Sequence, residues 1–296
     1  MNNSLFYNEK PIISGSSKDF YETNDPNIFK VIFKDVIHGR GREDTIKGTG
    51  RLREEFCYYF YKLLEKEGIK TQLAPNALAE RGIFVKKLTM LPLELIVRYV
   101  SRGYWVDAHK WPLLPQGITF DAPVVEYCVK WKKQTQYLPY EQLSFAQKNF
   151  HAFFSHLPVL QKILMPTAEI KDDPRVNLDM ILTLNKYAKD DYLRGHLLQN
   201  ADEERELRKL ALKVNNILKE FLNSLDFVLE DGKFEVGFLP HSRDFIVADE
   251  YTQDSSRIRD KFGASLSKDL FRQQKSKSEI YDGYALLTEG IKNYVK

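Results

Sequence analysis

Cysteine is scarce in this 296-residue chain. There are two, Cys57 and Cys128, without CxxC spacing, so a disulfide framework and a thiolate metal centre are both excluded. Cys57 sits among bulky residues that read as one face of a helix, and both cysteines are expected to be reduced packing residues. Long apolar runs are also lacking. Nowhere do about eighteen apolar residues follow one another, which removes a membrane-spanning helix. The opening MNNSLFYNEKPIISG has neither the basic nor the apolar region of a secretory signal, so a cytoplasmic protein is expected. Charge of one sign is not in excess: 44 basic residues face 41 acidic ones, a formal net charge of +3. No global field draws in nucleic acid or an anionic membrane, and any anion site must be local. The six histidines form no HExxH pattern, and His151 and His156 are five apart, off any common helical face, so no transition-metal site is expected.

What is present is enough apolar material, 43% of residues, to bury a core in one large domain or two intimate lobes. Residues 1–90 read mainly as short strands at Pro11–Ile13, Phe29–Phe33, Thr71–Ala74 and Ile83–Leu88. A helix interrupts them over Leu52–Lys66, with Leu52, Phe56, Phe60 and Leu63 close to a helical repeat and Gly68 as its stop. Pro92 is placed to open a second helix on which Glu94 and Arg98 share a face at i,i+4, with Gly103 ending it. A longer amphipathic helix runs from about Glu203 to Leu225, its stripe formed by Leu207, Leu210, Val214, Ile217, Phe221 and Leu225. Two strand-like runs follow, FVLEDGKFEVGF and DFIVADE, joined by the turn-like LPHSR as a hairpin. The fold class is α+β, a sheet-rich N-terminal lobe and a mixed C-terminal lobe.

Strand alternation puts Asp231, Lys233 and Glu235 on one face and Phe234 and Val236 on the other. That polar row is either a solvated sheet surface or a site. In the hairpin Asp249 approaches Glu235, and two facing carboxylates repel unless a cation intervenes; Mg²⁺ bridging a nucleotide phosphate removes the conflict. Near the N-terminus, SGSSKDFY sets Gly15, Ser16, Ser17 and Lys18 in a turn that can offer backbone N–H groups and one cation to phosphates. FVKKLTMLPLELIVR adds Lys86, Lys87, Glu94 and Arg98, in a context whose apolar residues could enclose an adenine.

Taken in order along the chain, these segments resemble the SAICAR synthetase family. The glycine-lysine loop is similar to Gly15–Tyr21, and VIFKD, IKGTGRLREEF, EGIKTQL and VKKLTMLPLELIVR resemble the blocks that follow. PVVEYCVK, ending at Lys130, and DDPRVN, with Asp173 and Pro174, come next; DGKFEVG and ADEYTQDSSRIRD resemble the most diagnostic pair, and SKDLFRQ, with Asp269, Phe271 and Arg272, closes the series. The resemblance implies a kinase-like ATP-binding lobe over 1–90 and a larger substrate- and Mg²⁺-binding lobe over 91–296, with ATP between them. It further implies that Gly15 and Lys18 contact ATP phosphates, that Lys86, Leu88 and Met90 fall at the adenine connection, and that Glu235 and Asp249 hold Mg²⁺. Arg98 and Arg257 would grip the phosphate of an imidazole ribotide carboxylate, with Glu94 beside Arg98 in the same block and Asp254 reaching the ribose. Asp231 and Lys233 would lie by the reacting carboxylate, and Lys130 would add positive charge. Lys18, Asp231 and Lys233 are the catalytic candidates, and Glu94, Arg98, Lys130, Asp254 and Arg257 the substrate-binding ones.

The implied reaction couples L-aspartate to the ribotide carboxylate at the expense of ATP. Ser16, Thr49, Arg53, Glu54 and Tyr104 depart from the family pattern, which has a lysine at the first two positions, an asparagine pair at the next two and a phosphate-binding serine at the last. A paralogue joining a different acid and amine, or an inactive nucleotide-binding protein, therefore remain as alternatives. About forty residues between Lys130 and Asp172 form an insertion, over about 131–171, whose Phe150, Phe153, Phe154, Leu157 and Leu160 suggest a helix. It is read as an ordered cover or as a contact with a second copy of the chain in a homo-oligomer. No basic stripe accompanies these aromatics, so a nucleic-acid platform is not expected.

Overall fold

The computed structural model describes residues 7–102, 117–129, 175–176 and 201–296; Gly103, Tyr104, Lys130, His151, His156, Asp173, Pro174 and the insertion lie outside them. The architecture is α+β, and the chain divides into two compact units, residues 1–89 with 216–296, and residues 90–215.

The first unit opens with β1 (Ile13–Ser14), β2 (Lys18–Glu22) and β3 (Ile28–Phe33), then the hairpin of β4 (Val36–Gly39) and β5 (Arg42–Thr45). Helix α1 (Thr49–Lys66) follows, then β6 (Leu73–Leu78) and β7 (Ile83–Lys86). The larger sheet is antiparallel in the order β1-β2-β3-β7-β6, and its register sets Lys18 opposite Phe33. The strands expected at 11–13 and 71–74 begin two residues later than read, and the one expected over 83–88 stops at Lys86.

Helix α1 starts three residues before the expected Leu52 because glycine lets it press against the end of β3. A Cβ on Gly50 would sit 2.3 Å from the Phe33 carbonyl oxygen, and the Gly50 N–H donates to Asp35 Oδ1 at 2.8 Å. At the other end Gly68, with φ +75°, turns the chain out of the helix. Phe56, Cys57, Phe60, Tyr61 and Leu64 are buried along α1, as expected for Cys57. The helix packs against α4 (Lys277–Val295), which begins with a capping box: Ser276 accepts from the Glu279 N–H, and the Glu279 side chain accepts from the Ser276 N–H.

The late strands of this unit are β11 (Phe227–Phe238), β12 (Ile246–Ala248) and β13 (Ser256–Asp260), followed by the short α3 (Asp269–Arg272). The expected hairpin forms, with Glu235 opposite Ala248 and Gly237 opposite Ile246; β13 pairs with the other end of β11, across a bulge between Leu229 and Asp231.

In the second unit β8 (Thr89–Val100) pairs with β9 (Thr119–Val129), and β9 with β10 (Arg175–Val176). The helix expected from Pro92 is therefore a strand. Leu91, Leu93, Leu95 and Val97 are fully buried at every second position, a period of two that outweighs the helix-start signal of the proline. Glu94 and Arg98 still share a face, now on a strand and roughly 13 Å apart along it. The long helix is found over Ala201–Asn223, as α2, running from the second unit into the first. Of the expected stripe Leu207, Val214, Ile217 and Phe221 are buried, joined by Ala211, Leu218 and Leu222, while Leu210 is half-buried and Leu225 lies beyond the helix. Among the described residues no helix is long and apolar enough to cross a membrane.

Candidate functional site

The polar row on β11 is not a solvated surface: Asp231 and Glu235 are each 5% exposed, and Lys233 is half-buried. Where β12 ends, Asp249 leaves the strand in a left-handed conformation, φ +60°. A non-glycine residue adopts that backbone only when its surroundings hold it there. The Lys18 ammonium, at the head of β2, lies 2.6 Å from Asp249 Oδ1 and 3.6 Å from Glu250 Oε2. Burial opposes the charge on Lys18, but Asp249, Glu250 and, less strongly, Glu235 outweigh it and raise its pKa above the ordinary lysine value. Lys18 is thus a fixed cation inside a concentration of carboxylates. Glu250 was not among the expected site residues, and its Oε2 is buried without a hydrogen-bond partner.

A second cluster joins β11 to β13. Arg257 Nη1 donates to Asp231 Oδ2 at 2.5 Å, and its Nε lies 3.3 Å from Asp269 Oδ2. Arg259 donates to Glu230 Oε1 at 2.7 Å, and Arg272 to the other oxygen of Asp269. Burial works against ionisation of Asp269, yet Arg257 and Arg272 hold its carboxyl below the usual range. Two internal carboxylates already engage the Arg257 guanidinium, so an incoming phosphate would have to share it with them.

Asp254 is enclosed differently. Its Oδ2 accepts from Arg53 Nη1 at 3.1 Å and Lys268 Nζ at 3.4 Å, and its Oδ1 accepts from the Tyr284 hydroxyl. Desolvation would raise its pKa, but Lys268, Arg53 and the tyrosine lower it to about 2. A ribose hydroxyl at Asp254 would compete with three internal donors. Arg53, fully buried, also donates to the carbonyls of Lys34, Val36 and Thr49. Its neighbour Glu54 accepts from the Phe33 N–H at 3.1 Å, and the Thr49 hydroxyl donates to the Ile46 carbonyl at 2.8 Å. The departures at 49, 53 and 54 are therefore absorbed by internal contacts.

The N–H of Gly15 donates to the Lys18 carbonyl at 2.8 Å, closing the β1–β2 turn, so that N–H is taken inside the loop rather than offered outward. Lys86 directs its ammonium to the Thr71 carbonyl at 3.4 Å and lines a cavity of about 450 Å³ with Glu65, Lys70, Thr71 and Asp244, which Lys18, Glu235 and Asp249 do not line. Leu88 and Met90 are half-buried. In the second unit Arg98 is buried and donates to the Arg102 carbonyl at 3.2 Å, while Glu94 is half-buried. Lys130 lies outside the described residues.

Comparison with known proteins agrees with the order of motifs. The family described as SAICAR synthetase matches residues 11–147 and 160–285, passing over twelve residues inside the expected insertion. The phosphoribosylaminoimidazole-succinocarboxamide synthase of Latilactobacillus sakei is 27% identical over 271 residues, covering 90% of this chain and 89% of that protein. A solved SAICAR synthetase in complex with ADP is 26% identical, with a TM-score of 0.70 over 94% of this chain and 96% of its own. The crystal structure of the Ehrlichia chaffeensis synthase, 23% identical, shares the fold at a TM-score of 0.73 over 96% and 98%. By this match, which spans most of its length, the chain belongs to the SAICAR synthetase family.

Proposed function

We propose that this protein is an ATP-dependent ligase that joins the amine of L-aspartate to the carboxylate of carboxyaminoimidazole ribotide, giving the succinocarboxamide, ADP and phosphate. The observation that carries the reading is Lys18, a buried cation held by Asp249 and Glu250 in a chain of this family. A carboxylate is a poor electrophile. A carboxylate oxygen attacks the γ-phosphorus, the bond to ADP breaks, and the resulting acyl phosphate loses phosphate when the aspartate amine attacks its carbonyl carbon and gives up a proton. Such transfer depends on positioning and on neutralising charge, so the enzyme needs no covalent nucleophile.

The donor set fits Mg²⁺. Hard carboxylate oxygens gather where the chain itself sets a cation, and one Glu250 oxygen is buried without a hydrogen bond, with the Lys18 ammonium 3.6 Å away. Among the described residues no three His, Cys, Asp or Glu side chains group to hold a metal by themselves. That suits an ion that takes one or two carboxylates and completes its shell with phosphate and water. Glu235 and Asp249 would hold it, with Glu250 beside them, and when bound it neutralises charge on the nucleotide phosphates. Lys18, kept protonated by its carboxylates, would swing its ammonium to the phosphates, as the glycine-lysine loop of the family implies. Arg257 would bind the ribotide phosphate by exchanging part of its hold on Asp231 and Asp269, which brings Asp231 and Lys233 next to the reacting group.

Purified protein with ATP, Mg²⁺, L-aspartate and the ribotide, each omitted in turn, tests this by mass spectrometry. Product that requires all four is expected. ATP binding without product would assign the chain to a different acid or amine, and no nucleotide binding at all would remove the ligase reading.

A further inference from the structure

Gln72 belongs to none of the three charged clusters, yet its side chain is bound at both ends by the backbone of a single residue, Asp249. Its Nε2 donates to the Asp249 carbonyl at 2.8 Å and its Oε1 accepts from the Asp249 N–H at 3.2 Å. The two contacts need opposite hydrogen-bonding roles, so they fix the amide's orientation. The surroundings fix the amide itself. The Val247 N–H donates to the Lys70 carbonyl at 3.0 Å, the Gln72 N–H to the Val247 carbonyl at 3.0 Å, and the Lys86 N–H to the Gln72 carbonyl at 2.7 Å. The backbone of residues 70–72 thus runs as a parallel bridge beside β12 up to Val247. At that point the side-chain amide of Gln72 takes over from the backbone.

The substitution of a side chain for a backbone rung has a geometric consequence. A backbone partner would hold residue 249 in an extended conformation, whereas an amide on a flexible stem satisfies both of its polar groups while its φ is +60°. That conformation re-aims the Asp249 carboxylate out of the strand alternation and toward Lys18. The Tyr61 hydroxyl, donating to the Ala248 carbonyl at 2.9 Å, anchors the preceding residue from α1.

We propose that Gln72 is a positioning residue for the Mg²⁺-nucleotide site: its amide locks Asp249 in the left-handed backbone that points the carboxylate at the nucleotide-bound cation. The inference rests on the assignment of Asp249 to Mg²⁺ under the proposed function. Its test is ADP binding by calorimetry across a Mg²⁺ series, in wild type and in Gln72→Met, which keeps an unbranched side chain of similar length and removes both hydrogen bonds. The Mg²⁺ concentration that half-maximally strengthens ADP binding should rise about tenfold or more, the range found when outer-shell partners of a metal ligand are lost. ADP affinity without Mg²⁺ should fall much less, by about threefold at most, since there the lock acts only indirectly, through the hold of Asp249 on Lys18. An unchanged Mg²⁺ dependence in a folded variant overturns the proposal, and an equal loss with and without Mg²⁺ reduces Gln72 to a structural residue.

Should Gln72→Met fail to fold, hydrogen exchange at the Asp249 amide of the wild-type protein decides the matter. Slow exchange supports the lock, and exchange at the rate of an open amide overturns it. Mg²⁺-dependent ADP binding without amide product in the omission assay would count against the proposed reaction and leave the lock standing. Wild-type ADP binding that ignores Mg²⁺ would remove both the metal assignment and this inference.

Discussion

Two groups of buried charges lie in the same compact unit and differ in how completely they are satisfied. Around Asp254 the side chains are sealed, Arg53 at 0% and Asp254 at 5% exposed, and every nitrogen and carboxylate oxygen of the two side chains has an internal partner. Around Lys18, one ammonium serves several carboxylates, Asp249 remains 26% exposed in a left-handed backbone, and a Glu250 oxygen is buried without a hydrogen bond. The first arrangement is one that folding needs. The second leaves Asp249 partly open to solvent in a backbone that its surroundings must hold, which suits a ligand that brings cations of its own.

The largest effect is expected at Arg53. Arg53→Met leaves Asp254 buried with part of its compensation gone and three backbone carbonyls short of a donor, so unfolding in urea should show a loss of about 3–5 kcal/mol. A loss below about 1 kcal/mol would show that the sealed cluster is not structural. Asp249→Asn should behave oppositely. It takes the nearest counter-charge from Lys18, which Glu250 and Glu235 still neutralise, and places a residue tolerant of φ > 0, so stability should fall by about 1–2 kcal/mol, less than at Arg53, while turnover falls about 10²–10³-fold. Normal turnover in that variant would remove Asp249 from the metal site.

Acid separates the clusters further. The folded pKa of Asp254, about 2, lies below the ordinary aspartate value of 3.8. Its contribution is therefore complete above pH 4 and lost as pH falls from about 4 to 2, on the order of 2 kcal/mol. Denaturant midpoints measured across that window should drop in wild type, and Asp254→Asn should flatten this part of the curve. The smallest effect is expected at Arg257→Lys. It keeps the charge between Asp231 and Asp269 but loses the fork, so KM for the phosphorylated acid should rise about tenfold with kcat nearly unchanged. A fall in kcat alone would move Arg257 from phosphate binding to the chemical step.

Much of this was legible in the sequence, because α1, α2 and the β11–β12 hairpin carry strong periodicity and clear stops. The pairing of those two strands followed from that, with Glu235 opposite Ala248, the residue before Asp249. The helix expected at Pro92 failed where a helix-start signal and an i,i+4 ion pair masked the alternation of Leu91, Leu93, Leu95 and Val97. Arg53 was read as a departure from the family pattern because it stands at one of a pair of asparagine positions, and nothing in its local sequence marks it as enclosed. Its burial arises because α1 packs against α4 as well as the sheet, and the residues between those faces are enclosed too. Gln72 left no signal at all. It is a neutral amide in a short TQL run whose partner lies 177 residues along the chain, brought near by a parallel bridge that no local pattern encodes.

The central claim, that ATP activates the carboxylate within a charge-neutralising site, is tested most directly by oxygen tracing. With ¹⁸O in the ribotide carboxylate and unlabelled ATP and water, the account predicts that the released phosphate carries one carboxylate oxygen for each amide formed. Amide accompanied by unlabelled phosphate would contradict an acyl phosphate and the role given to Lys18, Glu235 and Asp249.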